Sequence, residues 1–118
     1  RTSNPGAADF QDLNVNKTSL YIEIAKKVVV WNKTYGNCLM VVGATWPEQL
    51  KKIRKIAPEM FFLIPGIGAQ GGDLEKTLKA GLTKNKSGLI ISSSRGIIFS
   101  ENPRKEALKL KEEINKYR

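Results

Sequence analysis

Two strand ends in this chain carry the chemistry of a phosphate site. Phe61 to Gly72 reads F-F-L-I-P-G-I-G-A-Q-G-G, an apolar run passing into a glycine-dense loop, and a later apolar run ends at Ser92-Ser93-Ser94-Arg95-Gly96. Glycines lack a Cβ, so such a loop can turn with positive φ and bring backbone N–H groups up to an anion. Asp73 opens a helix whose N-terminus would add partial positive charge. Arg95 supplies a planar fork of donors suited to phosphate oxygens. The same glycines also suit ordinary tight turns, and Arg95 an ordinary surface cation, but two such loops together make the stronger case for an anion.

These loops must be held by alternating strands and helices. Thr18 to Tyr35 predicts a helix with Leu20, Ile24, Val28 and Trp31 on one face, ended by Gly36-Asn37. Leu39 to Val42 is a short buried strand, after which Thr45 and Glu48 suggest a capping box for a helix with Leu50, Ile53 and Ala57 inward, stopped by Pro58. Phe61 to Ile64 is the next strand, and Asp73 caps a helix carrying Leu74 and Leu78, closed by Gly81. Leu89 to Ser92 is the last strand. Asn102-Pro103 then starts a helix with Ala107, Leu110, Ile114 and Tyr117 on one face. Strands apolar on both faces, alternating with helices, indicate an α/β fold with a parallel sheet. The polar opening Arg1 to Gly6 reads as the end of one further strand, so a truncated chain is expected: four βα units, half of an eight-unit barrel, with the functional loops at the strand C-termini.

Composition narrows the classes. The chain has 118 residues, 41% of them apolar, which suits one modest globular domain. The formal charge is +9, but the lysines are dispersed over helices among acids such as Glu48, Glu75 and Glu106, with no basic run interleaved with aromatics. A solvated lysine-rich surface is expected, with no nucleic acid as partner. No apolar run approaches the roughly 20 residues of a membrane span, so no membrane partner is expected. Arg1 to Gly6 has no signal-peptide character, and a single cysteine, Cys38, offers no internal disulfide; a cytoplasmic setting follows as the expectation.

The sequence offers little for proton transfer. Histidine is absent, which removes the usual general base, Ser-His triads and most zinc sites, and no metal is expected. Cys38 precedes an apolar strand and suits a small core position. Asp9 and Asp12 flank the first loop, though Asp12 equally suits a turn cap. Gly66-x-Gly68-x-x-Gly71 formally matches the dinucleotide fingerprint, but the acid that should follow about 20 residues later is missing, and Arg95 stands near there instead. An NADP-binding fragment of an oxidoreductase and a stand-alone phosphate- or nucleotide-binding module therefore stay open as alternatives. Gln70 could bridge a phosphate and a base edge or bond within its own loop, and Trp46-Pro47 suits helix-start packing.

Four segments in order, R-T-S-N-P-G, V-V-G-A-T-W-P-E, L-I-P-G-I-G-A-Q-G-G-D and G-L-I-I-S-S-S-R-G-I-I-F, resemble the C-terminal half of orotidine 5′-phosphate decarboxylase, and the resemblance runs nearly end to end. It implies that residues 1–118 form the C-terminal part of a (β/α)8 TIM barrel, about strands 5 to 8 with their helices. It also implies a homodimer without cofactor or metal that converts orotidine 5′-phosphate to uridine 5′-phosphate in pyrimidine biosynthesis. By the same resemblance Thr2 and Ser3 would contact the pyrimidine ring and Pro65 would line the base pocket. Gly68 and Gln70 belong to the glycine loop, where Gln70 would join the phosphate and base sides, and Arg95 with the backbone of Ser94 and Gly96 would grip the phosphate. The family's Asp-x-Lys-x-x-Asp array, whose lysine protonates C6, has no counterpart here, since no Asp-x-Lys occurs in the chain. No catalytic residue is expected in it, and an N-terminal half, as a separate chain or segment, is the expected partner.

Overall fold

A computed structural model of the chain describes residues 2–68 and 71–118. Its order is α1 (Ala7–Gln11), β1 (Asn14–Val15), β2 (Thr18–Ser19), α2 (Leu20–Tyr35), β3 (Met40–Val41), α3 (Pro47–Ile56), β4 (Phe62–Pro65), α4 (Leu74–Gly81), β5 (Leu89–Ser92), α5 (Ser94–Ile98) and α6 (Pro103–Asn115). β3, β4 and β5 form a parallel sheet in that order, with Met40 beside Phe62 beside Leu89. Thr2 to Gly6 is irregular backbone running into α1.

Side chains alternate across a strand, and the alternation here separates two different faces. Met40, Val42, Phe62 and Ile64 are buried against the helices, where Leu50 and Ile53 of α3 and Leu78 of α4 complete the core. Val41, Leu63 and Ile90 lie on the other face, and Val41 is 66% exposed and Ile90 47%. An apolar sheet face open to water is unusual in a parallel sheet, which is ordinarily covered on both sides. The accessible surface, 7865 Å², exceeds the roughly 6,400 Å² of a compact monomer of this mass. The radius of gyration is 14.9 Å against about 13.5 Å for a compact chain of this length.

Local chemistry explains where the elements depart from the sequence pattern. Thr18 and Ser19 pair with Asn14 and Val15 in a hairpin instead of opening α2, because Asn16 and Lys17 both take positive φ, the requirement of a tight two-residue turn. α2 is apolar on more than one side, and the face it buries is Tyr21 and Ala25 with Val28, leaving Ile24 and Trp31 about half exposed. The Thr45–Glu48 capping box is not made: Pro47 sets the helix start, Trp46 becomes the N-cap, and no side chain caps it. Asp73 and Asn102 cap as expected, accepting from Lys76 N and Lys105 N, each at 3.0 Å. Gly81 is the last residue of α4 but no left-handed cap. A Cβ there would meet Leu50 at 3.0 Å and Leu89 at 3.2 Å, so its absence lets α4 lie close on its neighbours.

Candidate functional site

Alternation along β4 and β5 places Pro65 and Ser92, which pair in register, on the open face at the C-terminal edge of the sheet. Beyond them Gly66, Ile67, Ser93, Ser94, Arg95 and Gly96 complete a cleft of about 80 Å³. That is room for an anion of phosphate size. Pro65 is tied to the end of β3 by its carbonyl, which accepts from Ala44 N at 3.0 Å.

The described glycines of the loop bond to one another. Gly66, Gly68 and Gly71 have φ values of 101°, 75° and 80°, conformations that favour glycine. Gly68 N donates to Gly72 O, Gly71 N to Gly68 O and Gly72 N to Gly66 O, at 2.8 to 3.2 Å. The N–H groups of these three glycines therefore hold the loop's own fold and are not presented to an anion. The start of α4 is likewise filled: the Asp73 carboxylate accepts there, and the N–H of Lys76 holds its pKa below the usual carboxylate range.

Among the described residues, exposed donors remain at the β5 end. α5, a five-residue helix absent from the sequence reading, begins at Ser94, and the N–H groups of a helix's first turn have no intrahelical acceptor. Ser94, Arg95 and Gly96 form that turn. The guanidinium of Arg95 is exposed and makes no hydrogen bond or ion pair to a described residue. A Cβ at Gly96 would lie 3.0 Å from Ser93 Oγ, so glycine keeps the turn tight against the serine run. Three serines directly after an apolar strand were the available signal for α5, because serine favours helix starts.

The expected residues are thus gathered in part. Pro65, Ser94, Arg95 and Gly96 share one cleft. Gly68 lines a neighbouring cavity of about 240 Å³ with Ser93, Gly96, Ile97 and Lys109. Thr2 and Ser3 lie outside both; Thr2 O accepts from Trp46 Nε1 at 3.0 Å, which puts the segment over the end of β3, on the same edge of the sheet. Gln70 lies outside the described residues. Among the described residues no group of three His, Cys, Asp or Glu side chains stands close enough to hold a metal, and no helix is long and apolar enough to cross a membrane.

Comparison with known proteins gives a consistent result. A model of the orotidine 5′-phosphate decarboxylase / HUMPS family matches residues 1–110. The orotidine 5′-phosphate decarboxylase of Cellvibrio japonicus is 48% identical over 122 residues, covering 98% of this chain and 45% of that protein. The structure of Leishmania donovani OMP decarboxylase superposes with a TM-score of 0.91 at 42% identity, covering 99% of this chain and 45% of that one. Leishmania donovani UMP synthase gives 0.92 at 46% identity, covering 98% of this chain and 26% of that one. The chain spans about half the length of the decarboxylases it matches.

Proposed function

The chain belongs to the orotidine 5′-phosphate decarboxylase / HUMPS family, and on that premise we propose that it supplies the phosphate- and pyrimidine-binding loops of an enzyme converting orotidine 5′-phosphate to uridine 5′-phosphate. Its α/β fold matches part of the TIM barrel of those decarboxylases. The observation that carries the proposal is the cleft at the ends of β4 and β5, where Pro65 stands beside the first turn of α5 and the guanidinium of Arg95, unpaired among the described residues.

In this reading Arg95 and the N–H groups of Ser94, Arg95 and Gly96 take the phosphate. Pro65 lines the base side, with Gly68 and Gln70 between them, and Thr2 and Ser3 meet the pyrimidine ring. Binding energy from a phosphate remote from the reacting carbon lowers the barrier there when it is realised in the transition state. The groups that exchange carbon dioxide for a proton come from outside these 118 residues, which hold no Asp-x-Lys. The open face of Val41, Leu63 and Ile90 supports this, because completing the barrel would cover it. Residues 1–118 then correspond to about strands 5 to 8. A homodimer in the cytoplasm belongs to the same reading, and the exposure of Phe10, Tyr35 and Phe99 supports further assembly. The dinucleotide alternative is disfavoured by the N–H groups of Gly68, Gly71 and Gly72, which are already bonded within the loop.

The test is calorimetric titration of the complete barrel, this chain together with its complementary half. Uridine 5′-phosphate should bind, and Arg95→Ala should weaken it by about 2 kcal/mol, as for loss of a charge-assisted contact. Turnover of orotidine 5′-phosphate should require both halves. A dinucleotide that displaces uridine 5′-phosphate would overturn the assignment.

A further inference from the structure

Thr2 is held from two directions by side chains outside its own segment. Gln11, the last residue of α1, uses both ends of its amide on it: Oε1 accepts from Thr2 N at 2.9 Å and Nε2 donates to Thr2 Oγ1 at 3.4 Å. Trp46, at the start of α3, donates from Nε1 to Thr2 O at 3.0 Å across a separation of 44 residues. Backbone donor, backbone acceptor and side-chain oxygen of one exposed residue are all engaged. A polar segment with no core contact of its own needs such anchors to keep one conformation.

The anchors themselves are fixed. Ala7 buries the first turn of α1, which leaves Gln11 half-buried at its end. Trp46 is followed by Pro47, whose ring restricts the backbone on both sides of the junction. The consequence falls on Ser3. In a trans peptide the N–H points opposite to the preceding C=O, so a Thr2 carbonyl directed at Trp46 aims the Ser3 N–H the other way. Ser3 is exposed, and its N–H and hydroxyl bond to no described residue.

We propose that Gln11 and Trp46 are positioning residues for ring recognition: they fix Thr2 so that the polar groups of Ser3 face the edge of a pyrimidine. This rests on the assignment of Thr2 and Ser3 to the ring side of the ligand.

The experiment compares two ligands on the complete barrel, uridine 5′-phosphate and ribose 5-phosphate, which shares the sugar phosphate and lacks the ring. Trp46→Phe removes the indole N–H and keeps an aromatic ring; Gln11→Leu removes both amide contacts; Gln11→Glu keeps an acceptor for Thr2 N–H and loses the donor. Trp46→Phe and Gln11→Leu should each weaken uridine 5′-phosphate about tenfold, roughly one hydrogen bond's worth, and Gln11→Glu should weaken it less. Affinity for ribose 5-phosphate should be unchanged throughout. Unaltered uridine 5′-phosphate affinity in Trp46→Phe and Gln11→Glu, the two mildest changes, would overturn the inference, as would parallel loss of both ligands. If the unsubstituted protein binds both ligands equally, the ring-side assignment itself fails and this role with it.

Discussion

The guanidinium carbon of Arg54 sits over the ring of Phe62, 3.8 Å from its centroid, at the end of the sheet opposite Arg95. Its nitrogens donate to Gly81 O at 2.6 Å, Met60 O at 2.7 Å, Ala57 O at 2.9 Å and Gly88 O at 3.0 Å, joining the ends of α3 and α4 to the residues that lead into β4 and β5. Burial lowers its pKa to about 10, which still leaves it charged at neutral pH. The two arginines divide the molecule: Arg54 closes the N-terminal end of the strands, and Arg95 stands exposed at the C-terminal end.

Arg54→Lys should therefore cost about 3 kcal/mol, because a lysine ammonium cannot reproduce the planar fork and buried carbonyls lose their donors. Urea unfolding measures this. A loss below about 1 kcal/mol would mean that water replaces the guanidinium without penalty.

Gly72 and Gly36 should separate crowding from backbone strain. A Cβ on Gly72 would lie 2.4 Å from Gly66 O and 2.7 Å from the Ala44 Cβ, neither of which can swing aside. Gly72→Ala should cost about 1 to 3 kcal/mol and weaken ribose 5-phosphate by displacing Gly66 in the cleft. Gly36 has open space but a φ of 68°, so Gly36→Ala should cost only about 1 kcal/mol, the penalty of left-handed backbone, with no effect on ligand. Equal effects of the two substitutions on ligand affinity would contradict the packed loop.

Arg95→Lys keeps the charge and loses the fork. Ribose 5-phosphate should bind about tenfold more weakly to this variant than to the unsubstituted protein if two guanidinium donors share the phosphate. Equal affinity would show that Arg95 acts as a point charge.

Acid should loosen α4 through Asp73. Its carboxyl is held below the usual range by the N–H of Lys76, so the folded state binds its proton less readily than the unfolded chain. That adds stability which is present above about pH 5 and is lost as pH falls through the folded-state value. Asp73→Asn retains a capping side chain and does not titrate. The difference between the two unfolding free energies should be flat above about pH 5 and change below about pH 4; a difference independent of pH would show that the cap carboxylate is not linked to folding.

Much of the fold was legible because its signals are local. The caps at Asp73 and Asn102 depend on a short polar side chain one position ahead of a helix, and β5 was found at Leu89–Ser92 because four residues between glycine and serine leave little choice. The buried faces of α2 and of the sheet were not legible in the same way. α2 has apolar residues on several sides, so periodicity allows Ile24 inward as readily as Tyr21, and only the position of the sheet selects Tyr21 and Ala25. Arg54 gave no signal either: it sits in the basic stretch K-K-I-R-K, and its burial depends on carbonyls brought together by α3, α4 and two strand approaches.

By itself the sequence determined the alternation of strands and helices, the two loops beside Pro65 and Arg95, and the absence of a histidine or an Asp-x-Lys, since these depend on residue type and spacing along the chain. The tertiary structure decided which of the described donors stay exposed. Gly68, Gly71 and Gly72 bond within their own loop, Asp73 occupies the start of α4, and Arg95 with the first turn of α5 stays exposed, a distribution set by which groups meet across the sheet edge and therefore invisible to any local pattern.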